Sequence, residues 1–107
     1  MLRHLVLLQF KPDTAPAAIA GITAAFQALP AAIDTVRAFE CGTDISPEGL
    51  AKGYTHAFLL TFNDAAGRDH YLPHPAHQAF VAQLQPLLAD VLVLDYVTTG
   101  DGACRSG

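Results

Sequence analysis

Residues 2–10 read Leu-Arg-His-Leu-Val-Leu-Leu-Gln-Phe, and neither alternation class of this run is polar. A β-strand sends successive side chains to opposite faces, so a strand apolar in both classes needs cover on both. Lys11-Pro12 ends the run too early for a bilayer span, and no small-residue cleavage site follows. Val91 to Thr98 makes the same demand near the other end. The 107 residues must therefore bury two such strands. With 51% apolar and 15% charged residues, the chain has material for one compact domain and is not expected to be disordered.

Punctuation divides the rest. Asp13 or Thr14 offers a helix cap, Pro16 suits a first turn, and Pro30 is expected to close the helix. Between them Ile19, Ile22, Phe26 and Leu29 form an apolar stripe at helical spacing. A second strand is expected over Thr35–Cys41 and a loop over 43–53, marked by Pro47, Gly49 and Gly53. Tyr54–Phe62 is rich in β formers. Asn63-Asp64 opens a short helical turn to about Tyr71, and a longer helix runs from Pro75 to about Ala89. Its core side carries Phe80, Leu84, Leu87 and Leu88, and Pro86 should kink it or shorten its last turn. The domain is placed at 1–98, with a loose polar tail over 99–107.

The order β-α-β-β-α-β is the ferredoxin-like split unit, an α+β fold with a four-stranded antiparallel sheet. Strands one and three are expected side by side at its centre, and parallel, through right-handed crossovers. Two helices cover only one face of four strands. The other face is expected to be buried by a second copy, giving a homodimer through the sheet face.

Several functions are excluded by composition. The net charge is −4, and the six Lys and Arg are scattered singly, which argues against nucleic-acid or membrane-surface binding. Cys41 and Cys104 make neither a disulfide framework nor a zinc pattern. Cys41 reads as a small buried residue, and a cytoplasmic location is expected.

The histidines carry the chemistry. His4 and His56 are each third in their expected strands, so parallel neighbours would set them at matching depths. The stretch Tyr71-Leu72-Pro73-His74-Pro75-Ala76-His77 follows His70. Helical metal-ligand spacing of His70, His74 and His77 is broken by the two prolines, and no metal is expected. If Pro75 begins a helix, His77 lies in its first turn, where the helix dipole favours neutral imidazole. Each of these histidines also has a plain structural reading, as a core or capping residue.

These pieces resemble the stress-responsive A/B barrel (Dabb) family. The resemblance rests on Arg3–Lys11, Phe39–Thr43, Gly53-Tyr54-Thr55-His56-Ala57 through Phe62, Tyr71–His77 and Val91–Tyr96. It implies a dimeric α/β barrel in which two sheets pack face to face. One branch, a plant polyketide cyclase, closes a linear polyketide by an intramolecular aldol reaction, with no cofactor. Carried over residue by residue, its site implies Tyr71 and His77 as catalytic groups, with His4 and His56 binding substrate. Phe26 stands where that cyclase has a tyrosine on the first helix, which removes a polar contact. On this reading His77 abstracts a proton beside a carbonyl and Tyr71 steadies the oxyanion. The ligand would be a small hydrophobic carbonyl compound handled by a cyclase, isomerase or lyase. The alternative is a non-catalytic stress-responsive dimer that binds a small hydrophobic ligand. The chain has no Trp, which argues against a haem-degrading monooxygenase of the same superfold.

Overall fold

The computed structural model describes residues 1–99; the expected tail beyond Thr99, including Cys104, lies outside the described residues. Strand β1 spans Leu2–Phe10, and helices α1 and α2 follow at Pro16–Gln27 and Leu29–Ala32. Strands β2 (Ala38–Thr43) and β3 (His56–Phe62) precede helices α3 (Ala65–Tyr71) and α4 (Pro75–Leu84). A 3-10 turn over Gln85–Leu87 leads into β4, Leu88–Val97. That turn is the shortening expected of Pro86. Pro30, by contrast, does not end the helical region. It sits in the first turn of α2, where a missing N–H costs nothing. Among the described residues no helix is long and apolar enough to cross a membrane.

The sheet order is β2-β3-β1-β4, with every neighbouring pair antiparallel. Strands β1 and β3 are central neighbours as expected, but they are not parallel. The crossover through α1 makes β1 parallel to β2, and the β2–β3 hairpin then reverses the chain once more. A strand inserted between them by that hairpin must oppose β1.

Alternation along β1 is plain in its burial. Leu2, His4, Val6 and Leu8 are buried beneath the helices, and Arg3, Leu5 and Leu7 on the other face are half-buried. The helix-covered face meets Ile22 and Phe26 from α1, Tyr71 from α3, and Phe80 and Leu84 from α4. Phe26 stacks on Phe58 with ring centroids 4.4 Å apart and lies 4.5 Å from Phe80. This aromatic cluster fixes α1 and α4 on the sheet through both burial and ring geometry.

The other face is uncovered. Leu5 lies between Leu59 and Leu94, and Leu7 between Ala57 and Leu92. Leu94 is 55% exposed and Tyr96 46%. Cys41 is exposed on edge strand β2, not buried; Gln27 Nε2 donates to its sulfur at 3.3 Å.

Candidate active site

The antiparallel sheet decides where chemistry can gather. His4 pairs with Leu60, whereas His56 pairs with Leu8. The two histidines share the helix-covered face but stand four residue rows apart, on the order of 13 Å at about 3.3 Å per residue. The expected pairing of His4 with His56 is therefore not formed. His56 lies near the far end of the sheet, where its Nδ1 contacts Thr55 Oγ1 at 2.7 Å and its ring meets Phe10 edge-on at 5.1 Å. It lines surface depressions beside Gly42 and Thr43. Burial holds its imidazole below the usual histidine range.

The same reversal brings the helical residues to His4. Strand β3 ends beside the start of β1, so the chain leaving Phe62 begins α3 close to His4. Asp64 caps that helix, its Oδ1 accepting from Gly67 N at 3.0 Å. After about two turns Tyr71 closes α3. The His74 amide then donates to Tyr71 O at 3.1 Å, and His74 Nδ1 caps α4 by accepting from Ala76 N at 3.0 Å. Pro75 is the first residue of α4, and His77 falls in its first turn as the sequence suggests.

Five polar side chains, His4, Tyr71, His77, Gln85 and Asp95, line one cavity of about 320 Å³. Its apolar wall includes Val6, Phe26, Phe80 and Val93. The Tyr71 ring lies 4.4 Å from that of His77 and 6.0 Å from that of His4, centroid to centroid. Of the expected site residues, then, His4, Phe26, Tyr71 and His77 meet here and His56 does not.

The protonation pattern follows from the partners. His77 Nδ1 lies 2.8 Å from the Leu72 carbonyl oxygen. A carbonyl only accepts, so Nδ1 carries the proton and Nε2 keeps a free lone pair. Burial pushes His77 below the usual imidazole range; the Leu72 carbonyl opposes this and nearby His4 adds to it. Tyr71 is fully buried, and its hydroxyl has no hydrogen-bond partner among the described residues. Burial also raises its ionisation well above the ordinary phenol value. The site therefore holds a neutral imidazole beside a neutral phenol whose hydroxyl has no partner among the described residues.

Two further residues were not singled out for the site from sequence. Asp95 lies opposite His4 in the β1–β4 ladder, with Oδ1 2.6 Å from His4 Nδ1. Its Oδ2 accepts from Arg68 at 3.1 Å, and Arg68 also bonds Asp69 Oδ1 at 3.0 Å. A signal existed: Asp95 is the one charge inside the apolar run Val91–Val97, and charges so placed are seldom buried without a partner. Among the described residues no group of His, Cys, Asp or Glu is arranged to hold a metal ion.

Comparison with known proteins places these features in context. The stress responsive A/B barrel domain (Dabb) matches residues 2–98. A stress-response A/B barrel domain-containing protein, HS1, of Arabidopsis thaliana is 36% identical over 97 residues, covering 91% of this chain and 89% of that protein. Olivetolic acid cyclase of Cannabis sativa is 27% identical over 94 residues, covering 88% and 93%. Among solved structures, a hydroxynitrile lyase from Passiflora edulis superposes with TM-score 0.86 at 27% identity, covering 92% of this chain and 93% of that one. A dimeric ferredoxin-like protein of unknown function from Thermobifida fusca superposes with TM-score 0.77 at 30% identity, covering 91% and 90%.

Proposed function

Since this chain belongs to the stress-responsive A/B barrel domain family, we propose that it is a homodimer whose protomers perform cofactor-free proton-transfer chemistry on a small carbonyl compound. The observation that carries the reading is that His77 and Tyr71 line one largely apolar cavity, the Tyr71 hydroxyl having no partner among the described residues.

In the forward direction His77 Nε2 takes a proton from the carbon beside a carbonyl, and the electron pair moves onto the carbonyl oxygen. Tyr71 O–H donates to that oxygen as its charge grows. The enolate carbon then attacks a second carbonyl carbon, forming a C–C bond, and the new alkoxide takes the proton back from His77. Run in reverse, the same groups deprotonate a hydroxyl and break the adjacent C–C bond. A relative named as a cyclase and a structural neighbour named as a lyase are in keeping with these two directions. His4 is the second polar contact for substrate, and Phe26 supplies apolar wall.

The dimer forms through the uncovered sheet face. Leu5, Leu7, Leu59, Leu92, Leu94 and the ring of Tyr96 make an apolar layer too continuous for a free surface, and a structural neighbour is described as dimeric.

The test is a screen of neutral aldehydes, ketones and hydroxynitriles for turnover by the wild-type protein and by His77→Ala. The reading expects turnover that falls about 10²-fold or more in the variant. Equal rates would refute the assignment of His77. The largely apolar wall also suits a second reading, a binding module: compounds that raise the melting temperature and are recovered unchanged would establish it instead.

A further inference from the structure

We infer that Arg68 is a positioning residue: acting through Asp95, it locks His4 in the Nδ1–H tautomer, so that His4 presents its Nε2 lone pair to the cavity as a second proton acceptor. The inference deepens the proposed function and rests on it for its catalytic meaning, although the lock itself is a property of the free protein.

The geometry is a chain of three groups on three different elements. Arg68 stands on α3, Asp95 on β4 and His4 on β1. The guanidinium takes Asp95 Oδ2 at 3.1 Å, and the imidazole takes Oδ1 at 2.6 Å, so both carboxylate oxygens are occupied. A carboxylate engaged by a guanidinium only accepts. The short contact to His4 is therefore an Nδ1–H donating to the carboxylate, the geometry of a charge-assisted bond. A neutral imidazole with its proton on Nδ1 bears its lone pair on Nε2.

Without Arg68, Asp95 would lose this arrangement. Its side chain is 25% exposed, and only His4 would remain to orient it among the described residues. The carboxylate could then turn toward water, and the His4 proton could sit on either nitrogen. Arg68 is itself held from the other side by Asp69, at 3.0 Å from one terminal nitrogen and 3.1 Å from Nε. Such double anchoring uses the planar fork of arginine and makes the guanidinium a fixed prop.

The placement also couples the two halves of the site. Arg68 precedes Tyr71 by three residues, so one turn of α3 carries both the phenol donor and the prop for His4. Among the described residues Arg68 is absent from the cavity wall, whereas Asp95 and His4 belong to it. Its influence on a bound molecule is therefore exerted through them.

The experiment reads tautomers directly, on the full chain and without any ligand. Protein labelled with ¹⁵N-histidine is examined by long-range ¹H–¹⁵N correlation at neutral pH, with His4 assigned by its loss in His4→Gln. The expected wild-type pattern is a protonated Nδ1 and an unprotonated Nε2. Arg68→Met should lose that pattern and give a mixture or the Nε2–H form, and Arg68→Lys should restore it by keeping a cation at Oδ2. A melting curve checks that each variant is folded.

A wild-type His4 protonated on Nε2 overturns the inference without recourse to a variant. So does a folded Arg68→Met that keeps the wild-type pattern. Should the tautomer depend on Arg68 while the wild-type protein turns over no carbonyl compound, the positioning stands and the proposed chemistry fails. Turnover that requires His77, combined with a His4 pattern indifferent to Arg68, fails the positioning alone.

Discussion

Replacing Tyr71 by Phe removes one oxygen from the centre of the site and tests stability and chemistry in opposite directions. Tyr71 is fully buried, its ring packs against Phe62 at 5.2 Å and His77 at 4.4 Å, and its hydroxyl has no partner among the described residues. A buried hydroxyl without a hydrogen bond costs about 1–3 kcal/mol. Phe keeps the ring, its rotamer and its contacts, and forfeits only the few dispersion contacts of the oxygen atom. The net expectation is a gain of about 1 kcal/mol, which for a domain of this size raises the melting temperature by roughly 4–8 °C. Differential scanning calorimetry of the ligand-free protein measures it. If the hydroxyl is the oxyanion donor, the same substitution lowers turnover by about 10²–10³-fold. A protein that becomes more stable and less active has stored that cost for its ligand. A Tyr71→Phe variant less stable than wild type would refute the reasoning, because the hydroxyl would then have a partner in the free protein.

Three further outcomes follow from the same geometry. The folded-state values of His77 and His56 lie below the unfolded value of about 6.5. The unfolded chain therefore binds protons more readily, and stability is lost as pH falls from about 6.5 through the folded values. Denaturant titrations between neutral and mildly acidic pH should show that loss, and His77→Gln should lessen it; an unchanged slope would remove the burial argument. His56→Ala should leave cavity turnover within about twofold, given its place beside Leu8; a loss matching that of His77→Ala would overturn the separation of the two ends. Leu94→Arg places a charge in the middle of the uncovered face. It should weaken the dimer by about 3 kcal/mol or more, read as monomer by light scattering, and an intact dimer would move the interface elsewhere.

Much of the architecture is legible in the residues themselves, because the determinants are local. Pro16 and Pro75 start helices where fixed φ is harmless, Asp64 caps α3 with its own carboxylate, and alternation sorts Leu2, Val6 and Leu8 from Leu5 and Leu7. The uncovered apolar face follows from counting two helices against four strands. The Tyr71–His77 pair is equally local, fixed by a short turn that prolines stiffen. His4 joins it only through the sheet.

Strand direction is another matter, and it decided the site. Periodicity reports which face a side chain takes but carries no information about whether a neighbour runs up or down. One hairpin reversed β3 relative to the expectation, moving His56 four rows from His4 and bringing α3 back over His4 instead. Asp95 and Arg68 have the same origin. Each is an ordinary charged residue in sequence, and their partnership with His4 exists because the β1–β4 ladder and α3 bring positions 4, 68 and 95 together. Sequence by itself determined the elements, the need to cover both faces of the sheet and the local Tyr-His pair; tertiary pairing decided which distant groups complete them, since long-range register is set by the whole sheet and not by any segment of it.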